Sequence, residues 1–137
     1  MREETPARLF VYGTLQSGWP AHALLEPFVL RVTEAHIQGA LYAAQVPLLV
    51  EGDGVVRGEL LDLAPDDLSI ALALADEFEA YDPLDPQHSL YVRRLTTVRI
   101  PNAAVRAFVY FYNLENPSGT PLAALKPIPG NAWPSSP

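Results

Sequence analysis

The sequence predicts a single α+β domain in which several short strands combine with one main helix. Compact apolar segments rich in strand-forming residues recur along the chain, and one later segment carries apolar residues at helical spacing. The 137 residues suffice for one domain, which at this length buries roughly two-thirds of the surface that the unfolded chain exposes. We therefore expect one domain over residues 1–137 that folds without disulfide bonds.

Most of the predicted elements are strands. Residues Arg8 to Tyr12 are mainly apolar and precede Gly13, so we expect a buried strand that enters a turn. The run from Glu51 to Gly54 is a turn signal of the kind that closes a hairpin, and Val55 to Leu63 would supply the return strand. The other predicted strands and extended segments are residues 28–33, 36–43, 46–50, 91–100 and 103–112.

One segment changes from strand-like to helical periodicity at Asp66. Apolar residues then recur at spacings of three and four, which predicts one amphipathic helix with a core-facing side. The residues on that side are Leu68, Ala71, Leu72, Ala75 and Phe78. Two prolines between Tyr81 and Pro86 disfavour a helix there, so we expect the helix to end between Phe78 and Ala80. Glu79 is therefore predicted to lie at a helix C-terminus.

The C-terminal part of the chain differs in composition from the rest. The segment from Glu115 to Pro137 holds six of the fourteen prolines and has no clear period. Because proline donates no backbone hydrogen bond, such a segment joins neither a helix nor a sheet ladder easily. We predict a proline-rich C-terminal extension from about residue 115 that is extended or irregular and that Trp133 could anchor by packing.

Composition and charge exclude several classes of function. The chain has no cysteine, which excludes disulfides, thiolate metal sites and a cysteine nucleophile. Its net charge is −7 with eight arginines and one lysine, so no basic stripe predicts a nucleic-acid partner. No apolar run approaches the ~18 residues that a membrane helix needs, and the charged start is unlike a secretory signal. We expect a soluble cytoplasmic protein without a membrane partner.

Motifs for common cofactors and hydrolytic sites are missing from the sequence. It contains no phosphate-binding loop, no dinucleotide-binding glycine motif, no serine nucleophile elbow and no zinc-protease motif. The three histidines, His22, His36 and His88, do not have the spacing of metal ligands. We therefore expect no metal and no cofactor, and chemistry that depends on oxygen, nitrogen or backbone groups.

The first candidate site is the turn from Tyr12 to Leu15. A glycine directly after a buried strand lets the backbone turn sharply and leaves consecutive amide N–H groups facing outward. Such groups can hold a carboxylate or a developing oxyanion. The candidate substrate-binding residues here are Tyr12, Gly13, Thr14 and Leu15. Taken alone, the pattern is more typical of an ordinary strand end, since a glycine turn after a strand is common.

The second candidate is Glu79, within the acidic run from Asp76. It follows Phe78, which is predicted to face the core, and it lies at the negative end of the helix dipole with Asp76 and Asp82 nearby. Burial and like charge both disfavour a carboxylate, so we expect the pKa of Glu79 to be raised. A carboxyl of that kind suits a general base that also acts as an acid near neutral pH. A solvated surface acid is the alternative.

These two features, in this order, resemble a known family. The segment from Leu9 to Leu15, with Gly18 and His22 after it, is similar to the opening of gamma-glutamylcyclotransferase-like proteins, particularly the gamma-glutamylamine cyclotransferase branch. The family's second signature places an aspartate, a phenylalanine and the catalytic glutamate at a helix end, which here reads Asp76 to Glu79. A tyrosine and an arginine then open a strand, as Tyr91 and Arg93 do here.

Further parts of the chain extend the resemblance to nearly its whole length. The segment Gly58 to Leu60 looks like the family's central strand, and Ile128 to Trp133 is similar to its closing segment. The family commonly has glycine after the catalytic glutamate, whereas this chain has Ala80. The linker from Tyr81 to Leu90 is also long and contains prolines, and we expect it to form part of the rim of the pocket. The amine side of the substrate is therefore left open.

The resemblance implies a fold and a reaction. The implied fold is a small mixed β-barrel with flanking short helices. In the implied reaction, Glu79 takes a proton from the α-amino group of a small γ-glutamyl compound, and the freed amine attacks the γ-carbonyl to give 5-oxoproline. Tyr12, Gly13, Thr14 and Leu15 would bind the substrate.

Three questions stay open at this stage. Tyr91 and Arg93 alternate on one strand face, so Tyr91 could bind substrate or belong to the core, and Arg93 could pair with a substrate carboxylate or with the protein. A non-catalytic module that binds a small metabolite on the same fold is an alternative to the enzyme. An amidase, in which water attacks the same bond, is another.

Overall fold

The structure, a computed structural model, describes residues 5–137 and contains one α-helix and six strands over that range. The strands are β1 (Arg8–Val11), β2 (Val29–Ala43), β3 (Pro47–Leu63), β4 (Tyr91–Ile100), β5 (Ala103–Tyr112) and β6 (Lys126–Pro127), and the helix is α1 (Leu68–Phe78). Short 3-10 helices lie in the connections at Pro20–Leu24, Glu26–Phe28, Pro65–Asp67, Pro86–His88, Leu122–Ala124 and Pro129–Asn131. None of the described helices is long and apolar enough to cross a membrane.

The six strands form one mixed sheet in the order β3-β1-β5-β4-β2-β6. The neighbours β1 and β5 are parallel, and the other pairs are antiparallel. Strand β2 also pairs with β3, which brings the sheet back on itself. The seam between β2 and β4 consists of the single pair His36 and Arg99, so the sheet closes only loosely. The α+β fold with a mixed sheet is confirmed, whereas a fully closed barrel is not.

Strands β2 and β3 form one long hairpin, and the predicted turn from Glu51 to Gly54 is wrong. The hairpin turns at residues 44–46, while Gly39 pairs with Gly54 and Ala40 with Val50. Residues 51–53 therefore bulge out of the ladder. A Cβ on Gly52 would lie 2.9 Å from the Cβ of Ala40, so glycine permits the close approach that the bulge requires. Glycine marks bulges as well as turns, which explains the error.

The short strand β1 is buried on both sides. Leu9 and Val11 belong to a hydrophobic cluster that includes the inner side of α1, and Phe10 and Tyr12 belong to a second cluster that lies between β2, β3, β4 and β5. Leu9 is 0% exposed and Phe10 is 1% exposed. The turn that follows β1 therefore starts from one of the most firmly packed positions in the protein.

The C-terminal extension crosses the outside of the sheet. It is irregular apart from β6 and two 3-10 helices, and β6 pairs with Tyr42 and Ala43 at the end of β2. Near its end, the backbone carbonyl of Pro134 accepts a 2.7 Å hydrogen bond from the indole N–H of Trp19. Gln16 also donates its side-chain amide to that carbonyl, at 3.4 Å. The extension is thus attached to the loop that follows β1.

Helix α1 ends at Phe78, within the range that the sequence predicts. A compact cap follows it. The N–H of Ala80 donates to the carbonyl of Glu77, and the N–H of Tyr81 donates to that of Asp76. These two bonds define a Schellman motif, whose C′ residue adopts the left-handed conformation. Ala80 is that residue, with a φ of 51°. The motif places Glu79 immediately after the last helical turn.

We expect Ala80→Gly to stabilise the protein. An alanine at positive φ is strained by about 1–2 kcal/mol, and the flexibility that glycine adds to the unfolded chain offsets part of the gain. The free energy of unfolding, measured in urea, should rise by roughly 0.5–1 kcal/mol. Ala73→Gly, at an exposed position within α1, is the matched control and should lower it by about 1 kcal/mol. An equal loss of unfolding free energy in both variants would show that Ala80 is not strained.

Candidate active site

A small cavity of about 120 Å³ lies between the turn after β1 and the end of α1. It brings together all six candidate site residues that the sequence identifies, namely Tyr12, Gly13, Thr14, Leu15, Glu79 and Tyr91. Its remaining walls come from β1, from the start of β3, from Phe78, from Leu90 and from Tyr110. Residues far apart in the chain therefore meet at one place, which the sequence alone could not demonstrate.

Gly13 is needed because the backbone passes close to β3. A Cβ at this position would lie 2.8 Å from Cγ of Pro47, a distance that ordinary Cβ atoms do not show. The carbonyl of Gly13 accepts bonds from the backbone N–H of Gln16 at 3.2 Å and from its side-chain amide at 3.1 Å. Close packing and these two bonds fix the turn in place.

The turn presents backbone donors to the cavity. Among residues 5–137, no acceptor receives a hydrogen bond from the N–H groups of Gly13, Thr14 or Leu15. All three residues line the cavity. Consecutive unbonded amides can hold a carboxylate or stabilise an oxyanion.

Glu79 lines the same cavity and is partly buried. Burial raises the pKa of its carboxyl from 4.5 to about 7. A carboxyl with this pKa exchanges a proton readily near neutral pH, so it can act as a base in one step and as an acid in the next. The expected direction of the shift is present, and its cause is burial rather than repulsion by neighbouring acids.

Asp76 has a structural role that the sequence did not predict. Its side chain is buried, with Nη1 of Arg93 2.6 Å from Oδ2 and the hydroxyl of Tyr110 donating to Oδ1 at 2.6 Å. Asp76 therefore does not act as a bare negative charge beside Glu79. Of the two possibilities for Arg93, pairing within the protein is the one observed. One signal in the sequence could have revealed this pair. An acid lies on the core-facing side of the predicted helix, and an arginine follows near the start of the next strand.

Phe78 is not a core residue, contrary to the helical pattern. Its side chain is 45% exposed and lies at the cavity, while Asp76 is 7% exposed and faces inward. The pairing of Asp76 with Arg93 explains which side of the helix faces inward. The ion pair joins the buried Asp76 to the partly buried Arg93 and so fixes the orientation of the helix. The prediction failed because hydrophobic periodicity takes no account of a buried acid.

Two tyrosine hydroxyls complete the lining of the cavity. The hydroxyl of Tyr12 donates to the carbonyl of Tyr110 at 2.6 Å, and that of Tyr91 donates to the carbonyl of Pro47 at 2.6 Å. Burial is the main cause that raises the pKa of both hydroxyls well above the usual range, and the nearby Glu79 adds to it. Both hydroxyls therefore stay protonated.

The linker before β4 contributes little to this cavity. Of residues 81–90, only Leu90 lines it. Tyr81, Asp82 and Ser89 instead border a separate, open depression of about 560 Å³ beside Glu77. The linker is therefore a neighbour of the site rather than its rim. Within residues 5–137, no three His, Asp or Glu side chains are grouped as metal ligands.

The chain belongs to the family described as gamma-glutamyl cyclotransferase, AIG2-like, whose profile matches residues 9–135. The resemblance of the Leu9 to Leu15 and Asp76 to Glu79 segments is thereby confirmed. Membership supports a γ-glutamyl cyclotransferase-like activity in general terms. No curated protein sequence matches the chain significantly.

Solved structures share the fold. The chain is similar to an AIG2-like protein from Mus musculus, with 23% identity, a TM-score of 0.68, and coverage of 96% of this chain and 90% of that one. YkqA from Bacillus subtilis also has 23% identity and a TM-score of 0.68. The match covers 94% of this chain but spans only 40% of the length of YkqA. The protein ytfP from Escherichia coli has 24% identity and a TM-score of 0.57, with coverage of 92% and 95%.

The raised pKa of Glu79 leads to a prediction about stability. Between pH 4.5 and about 7 the folded protein holds a proton that the unfolded chain has released. Stability due to this group is therefore fully present below pH 4.5 and is lost as the pH rises to about 7. Glu79→Gln removes this dependence. As the pH rises across that range, the free energy of unfolding of Glu79→Gln minus that of wild type should increase by on the order of 1–3 kcal/mol.

Urea unfolding at intervals from pH 4 to pH 8 measures the difference between the two proteins. The control is Glu77→Gln, which alters an exposed glutamate on the same helix and should give a curve parallel to wild type. If the Glu79→Gln curve also ran parallel to wild type, the raised pKa would be wrong.

Proposed function

We propose that this protein is a γ-glutamyl cyclotransferase, which releases 5-oxoproline from a γ-glutamyl amine or a γ-glutamyl amino acid. The observation that supports it best is the position of Glu79, whose pKa is raised to about 7. It lines one small cavity together with Gly13, Thr14 and Leu15, whose amides are unbonded within residues 5–137. A proton carrier and an anion cradle are the two parts that this reaction requires.

The proposed reaction needs no group beyond these. The carboxylate of Glu79 takes a proton from the α-ammonium group, and the freed amine attacks the γ-carbonyl carbon. A C–N bond forms to close the ring, and backbone amides of the turn stabilise the negative charge on the carbonyl oxygen. Glu79 then gives its proton to the leaving nitrogen as the original γ-amide bond breaks. The ring nitrogen loses its second proton to the departing amine, so the products are 5-oxoproline and a protonated amine.

Much of the rate enhancement would come from positioning. Nucleophile and electrophile are in the same molecule, so the protein has only to hold the substrate folded with its amine near the γ-carbonyl. Tyr12 and Tyr91 line the same space, with their hydroxyls held by backbone carbonyls, and can help to position the glutamyl head. The role of Tyr91 in substrate binding is thus part of the proposal.

The size of the cavity limits which part of the substrate it encloses. At about 120 Å³ it is smaller than the ~300–1,000 Å³ of typical metabolite pockets. The glutamyl head would occupy it, and the amine portion would extend outside. Contacts beyond the cavity then decide which amine, among γ-glutamyl compounds, the protein accepts.

Incubation with γ-glutamyl amines, γ-glutamyl amino acids and glutathione should yield 5-oxoproline from at least one compound. Glu79→Gln keeps the size of the side chain but removes the proton carrier, so we expect turnover to fall about 10²–10⁴-fold. The affinity for substrate should change little. Product is quantified by chromatography, and Glu77→Gln serves as the control that retains activity.

The products distinguish the alternatives. Free glutamate in place of 5-oxoproline would reveal an amidase in which water attacks. Binding without turnover of any compound would favour a non-catalytic module. Turnover that survives Glu79→Gln would show that the glutamate is wrongly assigned.

A separate variant tests the backbone cradle. Gly13→Ala forces the turn away from Pro47, so we expect kcat/KM to fall roughly 10–100-fold, since small misplacements of binding groups are costly. Thr14→Ala retains every backbone N–H and is the matched control, with an expected loss of no more than a few-fold. Equal losses in the two variants would show that a side chain, not the backbone, binds the substrate.

A further inference from the structure

A second cleft lies on the outside of the sheet, away from the cavity that holds Glu79. Its volume is about 740 Å³, and its floor is formed by β2 and β3. The end of β4 forms one wall, and the C-terminal extension around Trp133 forms another. A cleft of this size accommodates a small metabolite.

Three basic side chains form a row across the floor of this cleft. His36 pairs with Arg57 on one neighbouring strand and with Arg99 on the other. Directly paired residues of antiparallel strands project from the same face of a sheet. The adjacent residues Ile37 and Val98 are buried, so the row faces outward. The strand register therefore assembles the row from three separate segments.

The two arginines of this row are not used by the fold. Neither Arg57 nor Arg99 makes an ion pair or a side-chain hydrogen bond with any residue in the range 5–137. Other arginines of the chain do have such partners: Arg31 pairs with Asp62 and Arg93 with Asp76. A guanidinium offers planar donors that match a carboxylate.

An orphaned donor lies in the wall of the same cleft. The indole Nε1 of Trp133 is buried and has no hydrogen-bond partner among residues 5–137. Buried donors are nearly always bonded, so an unbonded one indicates a group that the protein itself does not supply. Since the indole N–H and the guanidinium groups can only donate, the missing group must be an acceptor.

The neighbouring row of the floor carries the opposite charge. Glu34 pairs with Glu59, two residues along the strands from the basic row, and both line the cleft. The carboxylate of Glu59 already accepts bonds from the backbone N–H and the hydroxyl of Ser17. Glu34 has no such partner among residues 5–137, so its carboxylate can accept a bond from a cationic group.

We propose that this outer cleft is a second ligand-binding site, which takes a small zwitterion of the α-amino-acid class. The carboxylate of the ligand binds between Arg57 and Arg99, and the indole of Trp133 turns its buried N–H toward it. Its ammonium group binds Glu34. The site is distinct from the cavity of Glu79, and it does not depend on the proposed reaction.

The test uses the two tryptophan indole signals of ¹⁵N-labelled protein, assigned with Trp133→Phe. Titration with L-alanine should shift the Trp133 indole signal saturably and leave the amides of Leu90 and Tyr91, beside the other cavity, in place. Acetate has no amino group, and inorganic phosphate has neither an amino group nor a carboxylate. Each should therefore bind more weakly than L-alanine. Shifts confined to Leu90 and Tyr91 would overturn the proposal.

Variants then identify the charges that bind. Arg57→Gln with Arg99→Gln should weaken L-alanine binding about tenfold or more. The matched control, Arg31→Gln with Arg94→Gln, removes the same charge elsewhere and should leave binding unchanged. Glu34→Gln should make L-alanine and acetate equivalent. Unchanged affinity in the first variant, or phosphate binding as tight as L-alanine binding in wild type, would show the proposal to be wrong.

Discussion

The ion pair between Asp76 and Arg93 joins the end of helix α1 to the sheet. Asp76 also accepts a hydrogen bond from Tyr110, so one carboxylate connects the helix to β4 and β5. The guanidinium of Arg93 lies 5.7 Å from the ring centroid of Tyr81 and 5.3 Å from that of Phe108. Loss of Arg93 would leave the buried carboxylate of Asp76 without its charged partner, so the pair holds the end of the helix against the sheet. The position of Glu79, three residues further on, depends on it.

The same end of the helix shows a conflict between local and global requirements. The Schellman cap needs positive φ directly after Glu79, and the chain has alanine there. Strain of this kind persists where the surrounding structure determines the conformation. Here the ion pair of Asp76 and the packing of β1 hold the chain in that conformation. Ala80 thus alters stability more than it alters the geometry of the site.

The sequence predicted those features that depend on local patterns. The strand before Gly13 and the end of α1 beside Glu79 follow from periodicity and from turn chemistry, and family resemblance joined them into one site. Long-range contacts decided the rest. The bulge at Gly52 depends on Ala40 of another strand, and the inward position of Asp76 depends on Arg93. The basic row of the outer cleft depends on strand register, which composition does not reveal.

A crystal structure of the protein with 5-oxoproline bound tests the central claim most directly, because the product should occupy the space between Gly13 and Glu79. We expect its carboxylate or ring carbonyl within hydrogen-bonding distance of the N–H groups of Gly13, Thr14 or Leu15. The ring N–H should lie within hydrogen-bonding distance of the Glu79 carboxyl. A product molecule bound elsewhere, or bound here without contact to Glu79, would contradict the account.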